Sequence, residues 1–431
     1  MSTDPLITAE KRHLWHPFTQ MKAWCAPEHE PIVLVEGQGS ILWDSRGREY
    51  IDGNSSIWTN IHGHNHPAIN AAIKSQLEKV AHVSFLGTTN VPAIELAAKL
   101  IGCFPPSTLT RTFFSDDGST AVEVAIKMAL QYWQLCGHSE KAQFLAFENA
   151  YHGDTTGASS LGGIGTFSGR FSAIHFPVEH ATNVDALSTV DPDKLAAVIV
   201  EPIVQGAAGI RLWPTGMLKE LRAWCDAHDV LLIFDEVLTA FGRTGSLFAC
   251  EHESVLPDFL CLAKGLTGGY LPLAATLTTE HIYEAFLGEY HELKTFFYGH
   301  SYCGSALGCA AALASLEIFE EENTLETLRE KIPFFHELLN TLKDLAHVSD
   351  IRRCGWIAGI EIQEDSGKPF PWREQTGSRV CIAARKYGLL TRPILDTLIL
   401  IPPLCTTRSE LERAVDAIRQ AIREVCEEGI R

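Results

Sequence analysis

The feature that most constrains this chain is an alternation in its middle. Short apolar runs at residues 111–115, 143–147, 196–201, 230–235 and 259–263 are each bounded by Gly, Asp, Asn or Pro. Between them lie longer stretches with apolar residues at helical spacing, such as 119–135 and 217–228. Runs of that length suit buried strands, and strands alternating with helices predict an α/β fold with a mostly parallel sheet covered on both faces. The chain ends read differently. Residues 33–52 look like short antiparallel strands around the turn DSRG at 44–47. From about residue 330 the pattern becomes a helix (325–345), short strands (356–362 and 398–401) and a helix (408–426). The expected organisation is a large α/β domain, 71–325, and a small α+β domain built from both ends, 1–70 and 326–431. The helical stretch 305–321 leads from one to the other.

Composition narrows the function classes. Of 431 residues, 35 are Lys or Arg and 53 are Asp or Glu, a net charge of -18. So acidic a chain is a poor partner for nucleic acid or an anionic membrane, and an anionic ligand must be held by local groups. Residues 1–17 carry Asp4, Glu10, Lys11 and Arg12 without an apolar centre, so they do not read as a signal peptide. No stretch approaches the ~18 uninterrupted apolar residues of a membrane helix. The 12 cysteines include no C-x-x-C pair. This predicts reduced thiols and a cytoplasmic home, with neither a disulfide framework nor a zinc site.

Four segments carry chemistry. RTFFSDDGST at 111–120, followed by apolar residues at helical spacing, reads as strand, tight turn and helix. The free N–H groups and dipole of a helix start suit a phosphate dianion. Gly118 would let the backbone approach, and the hydroxyls of Ser119 and Thr120 could add hydrogen bonds; taken alone, the same residues read more simply as an Asp or Ser N-cap without any ligand. VLLIFDEV at 230–237 puts Asp235 and Glu236 at the carboxyl end of a buried strand, where α/β sheets build ligand sites. Neighbouring strand residues face opposite ways, which disfavours a shared metal. LCLAKG at 260–265 ends another strand on Lys264, followed by the turn LTGGY at 266–270. A desolvated lysine has a lowered pKa and becomes an amine nucleophile, whereas a surface lysine snorkels to water. FENAYHGD at 147–154 sets Tyr151 among polar groups after a strand, where its ring either packs or stacks on a flat heterocycle.

The order of these signals is what pyridoxal phosphate needs: a phosphate turn, an aromatic, Glu201-Pro, Asp235 and Lys264. At this point the chain resembles the class III, fold-type I pyridoxal-phosphate aminotransferases over nearly its whole length. The residues that carry the resemblance are DEV at 235–237, FGRTG at 241–245 and AKG at 263–265 with the following Gly-Gly. Ala240 departs from the Gly usual before that Phe. Within the class it is similar to the branch that aminates 8-amino-7-oxononanoate to 7,8-diaminononanoate in biotin biosynthesis. The marks are RHLWHPFTQM at 12–21, DGNSSIW at 52–58, IHGHNHP at 61–67, NAYHGD at 149–154, EPIVQG at 201–206, LTRP at 390–393 and IPP at 401–403.

The resemblance implies a cofactor-dependent homodimer. It implies that Lys264 is the Schiff-base lysine and proton shuttle, and that Asp235 pairs with the pyridine nitrogen. Val237 would pack on the ring, Tyr151 would stack on it, and Gly118 and Ser119 would bind phosphate. Gly299, His300 and Ser301 match a stretch reaching the phosphate from the other subunit, with Ser301 where the family usually has Thr. Arg392 matches the arginine that grips the substrate carboxylate. Phe18 and Ile57, beside Trp58, stand at substrate positions held by Tyr and Trp in well-known members. By family frequency the implied donor is S-adenosylmethionine, although WHPFTQMK at 15–22 looks more like the branch in which lysine is used. Another ω-aminotransferase of the class, an aminomutase or racemase, and a non-catalytic pyridoxal-phosphate-binding protein are the rival readings.

Overall fold

A computed structural model describes residues 4–427. Its central sheet has seven strands in the order Leu109–Ser115, Ala274–Thr279, Phe259–Leu262, Leu231–Asp235, Leu195–Val200, Gln143–Phe147, Val178–Ala181. The last five in that order pair in parallel. Ala274–Thr279 runs antiparallel to both of its neighbours. Leu109–Ser115 therefore points the same way as the parallel five.

Leu195–Val200 and Leu231–Asp235 are buried at every position, which is why they read as unbroken apolar runs. Successive side chains enter different cores. Leu232 and Phe234 join the cluster that also holds Met217, Leu218 and Leu221 of helix Met217–Ala227. Leu231 and Ile233 join the one holding Ala121, Val122 and Ala125 of helix Gly118–Leu135. The sheet is thus sandwiched between helices.

Two strands of this sheet were not legible as such. Ala274–Thr279 carries three threonines, and in Val178–Ala181 a charged residue and a histidine face outward at the sheet edge. Neither gives an apolar run.

The two chain ends share a smaller sheet. Leu34–Gln38, Ile41–Asp44 and Glu49–Asp52 pair antiparallel, and Leu389–Leu390 lies parallel to Glu49–Asp52. A second four-stranded antiparallel sheet joins Val348–Cys354, Ile357–Ile362, Thr397–Leu400 and Pro393–Ile394. The helix expected over 325–345 ends at Asn340 and gives way to a tighter turn at Thr341–Asp344. Strand Val348–Cys354 and helix Thr376–Ala384 were not anticipated; the former, VSDIRRC, has too few apolar residues to announce a strand. Helix Ala306–Glu321 packs against Pro67–Leu77 and Val91–Gly102. No helix among the described residues is long and apolar enough to cross a membrane.

Candidate active site

Of the six strands that run the same way, five end beside one space at the carboxyl edge of the central sheet: at Ser115, Phe147, Val200, Asp235 and Leu262. The residues just past those ends surround a cavity of about 440 Å³. Gly118, Ser119, Tyr151, Asp235, Val237 and Lys264 all line it, although up to 146 residues separate them in sequence (264 − 118). Ile57 and Trp58 complete the wall from the N-terminal part of the chain.

Asp235 is the last residue of its strand and is buried. His152 Nδ1 donates to its Oδ2 at 2.8 Å, and the Val237 N–H donates to Oδ1 at 3.1 Å. The His152 side chain is fully buried, and its Nε2 has no hydrogen-bond partner among the described residues. A buried carboxylate so supplied with donors is oriented to meet a cationic ring nitrogen. Glu236 faces the other way, as strand alternation requires. It accepts from the Ala249 and Cys250 N–H groups at 2.6 and 2.8 Å, and burial raises its pKa to about 7.

Lys264 follows its strand in a left-handed backbone conformation, φ +40°. Its Nζ stands 4.6 Å from the centre of the Trp58 ring. Burial lowers its pKa from 10.5 to about 8, against the opposing pull of the Asp235 and Glu201 carboxyls. A substantial neutral fraction near pH 8 makes this amine a nucleophile and a base. Glu201 in turn accepts the Tyr151 N–H at 3.0 Å and the Gly206 N–H at 2.9 Å, and burial raises its pKa to about 7.

Helix Gly118–Leu135 starts at the cavity with a full capping box. Asp117 accepts the Thr120 N–H at 3.0 Å, and the Thr120 hydroxyl accepts the Asp117 and Asp116 N–H groups at 2.9 and 3.1 Å while donating to the Asp117 carbonyl. The expectation that Thr120 serves a ligand is therefore corrected: its hydroxyl is committed to the cap. The cap and the ligand-facing helix start coexist, because capping leaves the other first-turn N–H groups free. Ser119 Oγ accepts the Asp154 N–H at 3.1 Å and keeps its own proton to give. Gly118 is required by close approach: a Cβ there would lie 2.6 Å from Val237 Cγ1. Gly153 pairs φ +119° with a Cβ position 2.2 Å from Ser119 Oγ, so only glycine fits.

Tyr151 lines this cavity and a neighbouring one of about 460 Å³, which Phe18, Asp154 and Phe167 also line. The Tyr151 hydroxyl donates to Asp154 Oδ2 at 2.6 Å. Phe18 meets Phe167 edge-on at 5.6 Å and lies in the adjoining space rather than beside Lys264.

Gly299, His300, Ser301 and Arg392 do not line either cavity. His300 Nδ1 lies 3.1 Å from Asp116 Oδ2, at the cavity's outer edge, and a Cβ on Gly299 would meet open space. Ser301 is exposed. Arg392 is exposed in the link between Leu389–Leu390 and Pro393–Ile394, and its carbonyl accepts the Ile399 N–H at 3.2 Å.

In the sequence His152 and Glu201 fall within motifs that assign neither a role. Nothing in their spacing shows that the loop after residue 147 folds back under Asp235. An amine, a buffered carboxylate, an aromatic ring and a helix start around one space fit pyridoxal phosphate group for group. No cluster of metal-binding side chains competes with that reading among the described residues.

Residues 24–422 match the family described as aminotransferase class-III. The chain is 48% identical to the adenosylmethionine-8-amino-7-oxononanoate aminotransferase of Nitratidesulfovibrio vulgaris, over 99% of this chain and 83% of that one. It is 45% identical to the enzyme of the same name from Geobacter sulfurreducens, over 98% of each. Among solved structures it resembles the adenosylmethionine-8-amino-7-oxononanoate aminotransferase of Methanocaldococcus jannaschii. That match has a TM-score of 0.94 and 42% identity, over 97% of this chain and 98% of that one. An amine transaminase from an uncultivated Pseudomonas species, in its PLP-bound form, matches with a TM-score of 0.89 and 32% identity over 96% and 98%.

Proposed function

The chain belongs to the class III aminotransferases, pyridoxal-phosphate-dependent transaminases, and we propose that it makes 7,8-diaminononanoate from 8-amino-7-oxononanoate in biotin biosynthesis, with S-adenosylmethionine as amino donor. The observation that carries the reading is full-length similarity to relatives named for that reaction, in a chain that keeps Lys264 and Asp235 at one cavity. The donor loses its α-amine and becomes a 2-oxo acid; the oxononanoate exchanges its ketone oxygen for that amine.

When bound, the cofactor supplies an electron sink for the carbon that carries the migrating amine. The protein's own residues do the rest. Lys264 Nζ would take the proton from the donor's α-carbon and hold it for return, and its lowered pKa leaves the base available near neutral pH. Asp235, oriented by His152 and the Val237 N–H, holds a positive ring nitrogen. Val237 and Tyr151, which line the cavity, would flank the ring. Ser119 and the free N–H groups at the start of helix Gly118–Leu135 bind the phosphate. Arg392 grips the carboxylate of the oxononanoate in a fork, and its exposure leaves it open to a ligand. Ile57 and Trp58 border the reacting centre, while Phe18 lies along the adjoining cavity where the longer parts of both substrates extend.

The reading includes a cytoplasmic homodimer in which residues 71–325 hold the cofactor. Gly299, His300 and Ser301 lie outside the cavity of their own chain, which suits a stretch that completes the partner's phosphate site.

The test is a pair of half-reactions. S-adenosylmethionine alone should convert the yellow holoenzyme to its pyridoxamine form, and the oxononanoate should restore it. Conversion by lysine and not by S-adenosylmethionine would replace the donor. Failure of the oxononanoate to restore the holoenzyme would replace the acceptor.

A further inference from the structure

A knot of buried polar atoms without an assigned role lies beneath the turn Ser55–Trp58. Ser55 (φ +45°), Ser56 (+60°) and Trp58 (+68°) are all left-handed, and none is glycine. Such a run is costly for residues bearing a Cβ, and persists only where the surroundings over-determine it.

Asp52, at the end of strand Glu49–Asp52, supplies the constraint. Its Oδ1 accepts the Asn54 N–H at 3.2 Å and the Ser56 N–H at 3.0 Å. Its Oδ2 accepts the Ser56 N–H at 2.8 Å and meets His64 Nε2 at 2.9 Å. Asn54 relays the hold: its Nδ2 donates to the Ser56 carbonyl at 3.2 Å, and its Oδ1 accepts the Trp58 indole N–H at 2.9 Å. From the far side the Ser55 hydroxyl donates to the Ile401 carbonyl at 2.7 Å. The outcome is an indole fixed 4.6 Å from Lys264 Nζ, with the amine over the ring.

We infer that Asp52 is a positioning residue for Lys264: by pinning the Ser55–Trp58 turn it holds the Trp58 ring against Nζ, where the aromatic face favours the cationic amine. The inference rests on the proposed role of Lys264 in capturing the cofactor. The ring acts beside the charged groups that already face this amine. Asp235 and Glu201 favour its charge, while Arg243 and burial oppose it. Trp58 is thus a counterweight to desolvation that carries no charge of its own.

The test follows the rate at which full-length, cofactor-stripped protein takes up pyridoxal phosphate across pH. That rate tracks the neutral fraction of the Lys264 amine. In the wild type it should inflect at about pH 8. Trp58→Leu should move the equilibrium toward the neutral amine by about 2- to 30-fold, so the inflection falls to lower pH. Asp52→Asn should move it the same way, and the double variant no further than Trp58→Leu alone, since both act through one ring. A wild-type inflection in Asp52→Asn, or shifts that add, would overturn the inference. Should Asp52→Asn not fold, Asn54→Leu frees the indole N–H while leaving the Asp52 carboxylate in place; the same downward shift is expected, and an unmoved profile is a refutation. The readout involves no substrate. A wild type that takes up cofactor yet does not aminate the oxononanoate overturns the proposed reaction and leaves this inference standing.

Discussion

His152→Leu isolates what a buried donor contributes to the site. Among the described residues Asp235 has two protein donors: His152 Nδ1 at 2.8 Å and the Val237 N–H at 3.1 Å. The leucine removes the shorter one and leaves Oδ2 facing an apolar side chain. A hydrogen bond to a charged group contributes about 1.5–3 kcal/mol. Its loss raises the cost of the carboxylate form, on which the grip of a cationic ring nitrogen depends. At ~1.4 kcal/mol per factor of ten, cofactor should bind roughly 10- to 150-fold more weakly. His152→Gln keeps an N–H donor of similar reach and should recover most of the loss. Equilibrium dialysis of pyridoxal phosphate against the three proteins measures this directly, with thermal unfolding as a control for global damage. Wild-type affinity in His152→Leu would show that the Val237 N–H alone suffices. A Gln variant no better than Leu would show that the imidazole acts through its shape rather than its proton.

Three further outcomes follow from the same geometry. Lys264→Ala should still hold the cofactor through the phosphate and ring contacts but lose turnover by about 10²- to 10⁴-fold or more, as single-turnover kinetics would register. Arg392→Ala should raise the KM for the oxononanoate by ~30- to 150-fold, the equivalent of ~2–3 kcal/mol for a forked ion pair, while its exposed position predicts an unchanged melting temperature. Glu236 is fully buried, and its pKa rises from 4.5 unfolded to about 7 folded. The folded chain therefore holds this proton more tightly: the stability it contributes is complete below about 4.5 and is lost as pH rises through about 7. Glu236→Gln should flatten that fall, worth up to about 3 kcal/mol, so urea unfolding at about pH 5 and about pH 8 should give a wild-type-minus-variant difference that shrinks or reverses at the higher pH.

The parts of this fold that were readable in sequence are those where one residue type dominates a whole element. Strands buried on both faces, such as Leu195–Val200, admit little but apolar side chains, and charged or polar groups at their ends, such as Asp235 and Lys264, stand out against them. Ala274–Thr279 escaped notice because its three threonines break up the apolar run that marks its neighbours, and its antiparallel direction leaves no mark in composition. The supporting shell of the site was less legible still. His152 serves Asp235 across 83 residues, and Asp52 serves Trp58 through main-chain N–H groups that every residue carries. Such roles depend on distances that only folding creates. The capping box at Thr120 is the reverse case: the local pattern was visible, and its competing claim on the hydroxyl settled the outcome.

The sheet that unites the two chain ends also sets a timetable for synthesis. Leu389–Leu390 must lie beside Glu49–Asp52, and the Ile401 N–H must reach the Gly53 carbonyl, before the Ser55–Trp58 turn has its outer support. A ribosome delivers residue 401 long after residue 53, and contacts that span so much sequence close slowly. The helix start and the lysine of the cavity can be in place while Trp58 is still loose. A nascent chain would then present a reactive amine before its aromatic neighbour is fixed, and the arrival of residue 401 becomes the moment at which the site matures.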